Sequence, residues 1–264
     1  MRDLLELPEG AARELRSLLA QRVPGRLDLH GHPHPPSSPG WQREVTYALI
    51  ALSYLIGATP TSYWMGRAVH GLDLREHGSG NLGATNVFRI LGAKWALPVV
   101  AVDIAKGFLP VWFFPGMVGG DLRWTLAFGG AAIVGHIFSL WVGFKGGKGI
   151  ATSAGVFLAL APWAVLGAFV VWLVLVLATG YVSLGSMAAA VTMPVFVALM
   201  PHQGGATILW FTGTLAVFVL WAHRSNIHRL MQGTESRFGK AALQDGDSAV
   251  GDSTDSADPA EAAP

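Results

Sequence analysis

Between Gly149 and His223 the chain contains no Asp, Glu, Lys or Arg. A soluble fold could keep so long a stretch free of charge only by exposing an extensive apolar surface, whereas lipid imposes no such penalty. The whole chain points the same way. Only 13% of its 264 residues are charged, against roughly a quarter in soluble domains, and the mean hydropathy is +0.43. Ten Trp and thirty-three Gly suit a membrane protein, Trp at the interfaces and Gly where helices approach closely. Cysteine is absent, which excludes disulfides, thiolate metal sites and cysteine nucleophiles together. The formal net charge of +1 identifies no partner, because the charges are segregated along the chain.

Seven apolar segments follow one another at about Val45–Gly66, Trp95–Met117, Trp124–Val142, Ile150–Ala161, Pro162–Thr179, Val182–Met200 and Ala206–Ala222. A spanning helix needs roughly 20 apolar residues, so Ile150–Thr179 is too long for one span and short for two. Pro162 lacks a backbone N–H and suits a tight bend, which reads as a short re-entrant helix followed by a longer one. Parity agrees. If the loops holding Lys145 and Lys148 and the stretch Tyr181–Ser186 serve one site, an even number of crossings separates them. The expectation is an all-α polytopic membrane bundle of about seven transmembrane helices with its site on the cytoplasmic face. Orientation comes from cations. Loop 67–94 holds Arg67, Arg75, Arg89 and Lys94, loop 143–149 holds Lys145 and Lys148, and the tail holds Arg224, Arg229, Arg237 and Lys240. The opposite loops offer only Arg123. Seven spans leave the N-terminus outside, in tension with Arg43.

Residues 1–43 read as a mostly flexible extension with a short helix over about Pro8–Ala20 and no apolar signal-peptide core. The histidines at His30, His32 and His34 read as solvated linker and not as a metal site. Residues 44–240 form the membrane domain. Residues 241–264 are rich in Ala, Asp, Ser and Gly without cations and read as a disordered acidic tail.

Four stretches carry the chemistry. In the run from Arg75 to Arg89, Gly78, Gly80 and Gly83 let backbone N–H groups converge on an anion, and Ser79, Asn81, Thr85 and Asn86 add short polar side chains. Arg89 adds a fork suited to phosphate oxygens. In Phe144-Lys-Gly-Gly-Lys-Gly149, Lys145, Gly146, Gly147 and Lys148 precede an apolar helix, the arrangement of an anion site at a helix N-terminus. It is not a Walker A loop: Val142 stands where the first Gly belongs, and Gly149 follows Lys148. Ser183 and Ser186 are the polar interruption between two apolar helices. His223 and Asn226 lie one turn apart in a basic stretch that ends at Glu235 and also fits an interfacial helix. Asp103 and Lys106, at i,i+3 within a span, are expected to neutralise one another, and His136 reads as a packing residue with a catalytic role open.

At these stretches the sequence resembles the acyl-phosphate-dependent glycerol-3-phosphate acyltransferases, the PlsY family, from about Val45 to Glu235. The markers are Gly78-Ser-Gly-Asn-Leu-Gly-Ala-Thr-Asn86 with Arg89, Asp103-Ile-Ala-Lys-Gly107, Gly135-His-Ile-Phe138, Phe144-Lys-Gly-Gly-Lys-Gly149 and His223-x-x-Asn-Ile-x-Arg229 with Gly233-x-Glu235. Ser139 stands where Pro is expected, and Gly180 stands where a basic residue is usual.

The resemblance implies acyl transfer from an acyl phosphate to the 1-hydroxyl of glycerol 3-phosphate at a bacterial plasma membrane. Ser79, Arg89, Lys148, His223 and Asn226 become the expected catalytic set. Gly78, Gly80, Asn81, Gly83, Thr85, Asn86, Lys145, Gly146, Gly147, Ser183, Ser186 and Glu235 become the expected substrate ligands, with Gly146–Gly147 as the cradle for the leaving phosphate. No metal or other cofactor is implied. The partners implied are acyl phosphate, glycerol 3-phosphate and the lipid bilayer, with neither nucleic acid nor an obligatory protein partner. His-x-x-x-x-Asp, the signature of acyl-CoA-dependent acyltransferases, is absent from the chain, as is a Gly-x-Ser-x-Gly elbow. Direct attack is therefore expected, with a substrate phosphate oxygen or His223 taking the proton. A transporter for phosphorylated metabolites and a non-catalytic scaffold are the rival classes.

Overall fold

The computed structural model describes residues 40–202 and 204–238. The chain divides into two units, Met1–Glu44 and Val45–Pro264, and the first lies almost wholly outside the described residues. So do the expected helix over Pro8–Ala20, the histidine run and the acidic tail.

The regular structure among the described residues is helical: α1 (Gly40–Ala58), α2 (Thr61–His70), α3 (Ala84–Leu91), α4 (Ala93–Met117), α5 (Leu122–Ile137), α6 (Ile150–Leu160), α7 (Pro162–Thr179), α8 (Val182–Leu199), α9 (Gly205–Ala222) and α10 (Arg224–Met231). A short 3-10 turn, Leu140–Val142, follows α5. Among them six stretches are long and apolar enough to cross a membrane: Gly40–His70, Ala93–Met117, Leu122–Val142, Pro162–Thr179, Val182–Leu199 and Gly205–Ala222. The seventh apolar segment is the short one. The 11 residues of α6 rise about 16 Å, roughly half of a 30 Å hydrocarbon core. It ends at Ala161, and Pro162 opens α7 at a first-turn position, where its missing N–H costs nothing.

Two boundaries differ from the expected ones. The first span is broken at Thr59–Pro60 into α1 and α2, because Pro60 removes a donor from the helical ladder. The supposed loop 67–94 contains a helix, α3, whose first turn turns out to matter for the site.

Bare backbone contacts hold the helices together. A Cβ on Gly107 of α4 would lie 2.0 Å from the Thr152 carbonyl oxygen of α6, and one on Gly155 of α6 would lie 2.0 Å from that of Ile104 on α4. Gly57 of α1 and Gly135 of α5 make the same reciprocal approach, to the carbonyls of Ala132 and Tyr54. Between lipid-solvated helices, close packing of this kind replaces the hydrophobic drive that holds soluble bundles.

The helices fall into two groups. α4 runs along α5 and α6, α8 runs along α7 and α9, and the α6–α7 contact links the groups. At one end the groups are joined by a buried cluster comprising Leu126, Phe157, Ala161, Ala164, Ala168, Met193, Val197 and Ile208. Lipid-facing positions are apolar, among them the exposed Leu177, Leu199, Trp210 and Val217.

Asp103 is the eleventh residue of the 25-residue α4, so the ion pair lies midway along the helix and not at its end. Lys106 Nζ contacts Asp103 Oδ1 at 2.8 Å and donates to the Thr59 carbonyl at 3.0 Å, tying α4 to the break between α1 and α2. The two charges neutralise one another, as their spacing suggested.

The glycine contacts give a direct test. Gly155→Val should lower the thermal midpoint in detergent by about 5 °C or more, through overpacking against a backbone that cannot retreat. Gly213→Ala, where an added Cβ meets nothing within 4 Å, should leave the midpoint unchanged or slightly raised. Equal midpoints for the two variants would contradict this packing.

Candidate active site

Between the two helix groups lies a cavity of about 540 Å³, within the size range of small-molecule sites. All five expected catalytic residues line it: Ser79, Arg89, Lys148, His223 and Asn226. Gly78, Asn81, Gly83, Thr85, Asn86, Ser183, Ser186 and Glu235 line it too, whereas Gly80, Lys145, Gly146 and Gly147 do not. Because Lys148 and Ser183 share the cavity, the pair α6–α7 returns the chain to the end it left, as the parity argument required.

The N-terminal turns of three helices face this space: Gly83–Thr85 opening α3, Gly149–Ala151 opening α6, and Val182–Ser183 opening α8. None of the three carries a side-chain cap. First-turn N–H groups without caps, and the positive ends of the helix dipoles, make this end of the cavity attractive to anions.

The loop before α3 is shaped by Asn86, which is buried. Its Oδ1 accepts from Ser79 N at 2.9 Å, and its Nδ2 donates to the carbonyls of Leu74 at 3.1 Å and His77 at 3.0 Å. Gly78 has φ +61, and a Cβ there would lie 2.4 Å from Asn86 Oδ1, so only glycine fits both the backbone and the contact. Asn86 thus positions Ser79, whose own hydroxyl makes no hydrogen bond among the described residues.

At the opposite wall stands a connected polar network. Lys148 Nζ donates to Asn226 Oδ1. Asn226 Nδ2 donates to Glu235 Oε1 at 2.6 Å, and Ser183 Oγ donates to the same oxygen at 2.7 Å. Arg229 Nε donates to Glu235 Oε2 at 2.7 Å. Burial works against the Glu235 carboxylate, but the bonds from Ser183, Asn226 and Arg229 outweigh it and hold the group below the usual carboxylate range. Glu235 is therefore ionised and fully engaged, and its role here is to position its neighbours. Ser186 is likewise engaged, donating to the Val182 carbonyl at 2.8 Å and accepting from Trp172 at 3.3 Å.

Charge at this end does not balance. Arg229 is answered by Glu235, while Arg89 and Lys148 have no carboxylate partner among the described residues. Burial, with Arg229 nearby, pushes the Lys148 ammonium down to about 8. Burial, with Lys148 beside it, pushes His223 down to about 4, so its imidazole is neutral near pH 7. His223 Nδ1 lies 2.9 Å from the Val219 carbonyl. A carbonyl can only accept, so Nδ1 carries the proton and Nε2 keeps a lone pair.

Gly146 and Gly147 do something other than cradle a phosphate. Their N–H groups donate to the carbonyls of Ile137 at 3.0 Å and His136 at 3.1 Å, and added Cβ atoms would sit 2.0 Å from the His136 carbonyl oxygen and 2.2 Å from its Nε2. They let the loop lie flat on the end of α5, which aims Lys148 at the cavity. Lys145 is exposed, in keeping with an interfacial anchor.

Sequence reasoning missed Ser153. Its hydroxyl is buried without a partner and it lines the cavity on the first turn of α6; its one signal was the hydroxyl pair Thr152–Ser153 in an apolar run. Arg229, Asp103 and His136 line the cavity as well, although none was among the expected site residues.

The chain is similar to known proteins. The family model described as glycerol-3-phosphate acyltransferase matches residues 47–233. A glycerol-3-phosphate acyltransferase of Geobacter sulfurreducens is 44% identical over 190 residues, covering 72% of this chain and 96% of that one. One from Trichlorobacter lovleyi is 46% identical over 189 residues, covering 72% and 95%. The crystal structure of PlsY, an integral membrane glycerol 3-phosphate acyltransferase, in its glycerol 3-phosphate form, superposes with a TM-score of 0.69. It is 37% identical, and the match covers 75% of this chain and 98% of that one. Its lysophosphatidic acid form gives a TM-score of 0.66.

The unbalanced charge has a measurable consequence. Sulfate, whose charge is constant over this range, should bind with an affinity that is flat between the His223 transition near pH 4 and about pH 8. Above it, as the Lys148 ammonium of the free protein discharges, affinity should fall by up to about tenfold per pH unit. Lys148→Arg should move that fall to higher pH. Calorimetric titration across the range checks both, and a pH-independent affinity would refute the assignment.

Proposed function

Since this chain belongs to the glycerol-3-phosphate acyltransferase family, we propose that it transfers a fatty acyl group from an acyl phosphate to the 1-hydroxyl of glycerol 3-phosphate. The products are lysophosphatidic acid and inorganic phosphate, in the first acylation of phospholipid synthesis. The observation that carries the reading is the unbalanced pair Arg89 and Lys148 at the polar end of a cavity that continues between α7, α8 and α9 as a largely apolar lobe. Two phosphate-bearing groups can be held there while an acyl chain lies between helices.

In this reading the glycerol 1-hydroxyl attacks the acyl carbonyl, and the bond from that carbon to the phosphate oxygen breaks with its electron pair leaving on phosphate. Arg89, Lys148 and the uncapped N–H groups of the helix N-termini stabilise the charge that develops on the carbonyl oxygen and the departing phosphate. Holding both substrates in one polar pocket supplies the orientation. Ser79 and Ser153 offer hydroxyls to substrate oxygens. Ser79 has no base–carboxylate relay among its contacts, which favours direct attack without an acyl-enzyme. His223, held near 4, is a weak proton acceptor, whereas a phosphate monoester titrates at about 6. The proton therefore passes to a substrate phosphate oxygen, with His223 Nε2 orienting the hydroxyl.

The bacterial relatives and the cation distribution support a location in a bacterial plasma membrane with the polar end of the cavity toward the cytoplasm. A transporter would need a path through the bundle, and the far end of this cavity is filled by the buried cluster around Phe157 and Met193.

The test is a steady-state assay in micelles with labelled glycerol 3-phosphate and either acyl phosphate or acyl-CoA. Acyl phosphate should give lysophosphatidic acid and phosphate in equal amounts, with added phosphate competing against the donor. Acyl-CoA should fail, since a thioester presents no phosphate at the carbonyl; comparable rates with it would sink the donor assignment. Arg89→Ala and Lys148→Ala should each lower turnover by about 10²- to 10³-fold or more with the thermal midpoint preserved.

A further inference from the structure

The apolar lobe of the cavity ends against four helices. The residues lining it furthest from the polar end are Phe157 on α6, Val165 on α7, Met193 on α8 and Thr212 on α9. One helical turn beyond, Ala161, Val197 and Ile208 belong to the buried cluster and have no exposed surface. Phe157 is fixed by the ring of Phe211, 5.8 Å away, and both Phe157 and Met193 are buried. From Ser183 to Met193 along α8 the lobe is about 15 Å deep. At roughly 1.25 Å per carbon for an extended chain of tetrahedral carbons, that holds about a dozen carbons, and more where bends shorten the chain.

We propose that Phe157 and Met193 form the floor of an acyl slot and set the longest acyl chain that the site accepts. This rests on the donor being an acyl phosphate. An acyl chain that enters from a bilayer or micelle leaves one apolar medium for another, so each methylene gains little on binding. Length is read instead by collision with a floor that is already close-packed. A chain too long by one or two carbons must fold back or draw its carbonyl away from Arg89 and Lys148, and overpacking of this kind is costly in a bundle joined at that point.

Ala189 lines the slot one turn nearer the polar end than Met193, about 6 Å closer. A bulky side chain there raises the floor, and truncation of Met193 lowers it.

The experiment measures turnover in micelles for acyl phosphates of graded length, in the parent protein and in Ala189→Phe and Met193→Ala. The parent should show rates nearly independent of length up to a limit, then a drop of roughly tenfold or more beyond it. Ala189→Phe should shorten the limit by about five carbons, as one turn of helix requires. Met193→Ala should lengthen it by about two or three, the reach of the unbranched side chain. Met193→Ala removes a core side chain, so gel filtration and thermal unfolding accompany each assay, and Ala189→Phe decides the matter if Met193→Ala does not fold. A chain-length profile in folded Ala189→Phe that matches the parent overturns the floor, as does a parent profile flat at all lengths. Absence of lysophosphatidic acid with every donor overturns the donor reading itself, and the floor falls with it.

Discussion

Glu235 is where three separate pieces of backbone meet at the polar end of the cavity. Its two oxygens take hydrogen bonds from Ser183 at the start of α8, from Asn226 within α10 and from Arg229 one turn further on. Such charge-assisted bonds are short and stiff, and a fully satisfied network of this kind fixes its members in one arrangement. Asn226 extends the network to Lys148, on the loop before α6. The carboxylate therefore sets the position of a cation that it does not itself neutralise. Its own charge is answered by Arg229, and Lys148 stays charged in a half-buried site until an anion reaches it. Charge placed in advance, in a region that excludes water, is the form of electrostatic stabilisation that needs no reorganisation when the reaction begins.

The cavity exists because the bundle is two groups of helices and not one. Within each group backbones touch through glycine, as at Gly107 and Gly155, which leaves no room for a ligand. Between the groups, side chains such as Ala154, Ala168, Ala189 and Ala216 line a gap that the buried cluster closes only at the far end. In the proposed reaction one substrate is water-soluble and the other is lipid. A slot that is polar and cationic at the mouth and apolar below lets the two meet without either crossing an unfavourable medium.

Much of this was legible in the residues. The uncharged run from Gly149 to His223 fixed a membrane bundle, and Pro162 marked the break between a short helix and a long one. Glycine-rich loops with Arg89 and Lys148 marked the polar end, and all five expected catalytic residues line one cavity. What spacing could not resolve was which glycines serve the ligand and which serve the fold. Gly146 and Gly147 read as a phosphate cradle because a helix follows them, yet their N–H groups answer the carbonyls at the end of α5, a partner distant in sequence. Asn86 read as a ligand and is a loop-shaping residue for the same reason. Ser153 was missed because two adjacent hydroxyls, Thr152 and Ser153, in an apolar run carry no periodic signal; only the cavity shows that Ser153 faces polar company.

The departure at Gly180 has a physical account in the segment after α10. Gly180 caps α7 with φ +77, a left-handed conformation in which a side chain would be strained, so the basic residue usual at this point of the pattern is not simply replaced. Phe238 N donates to the Gly180 carbonyl at 2.7 Å, and the Phe238 ring stacks on Phe88 of α3 at 4.4 Å. The segment thereby crosses from α3 to the start of α8. It brings Arg237 to the spot that a side chain at position 180 would occupy: its Cβ lies 3.3 Å from where a Gly180 Cβ would stand. The Arg237 guanidinium lies 5.1 Å from the centre of the Tyr181 ring and its Nε donates to the Tyr181 hydroxyl at 3.2 Å. A cation is thus returned to this corner by a residue far along the chain. The same crossing carries Glu235, two residues before Arg237, into its place between Ser183 and Arg229. The polar site is therefore closed by chain that lies beyond the last span, and a reading confined to spans and their connecting loops would leave its central carboxylate without a holder.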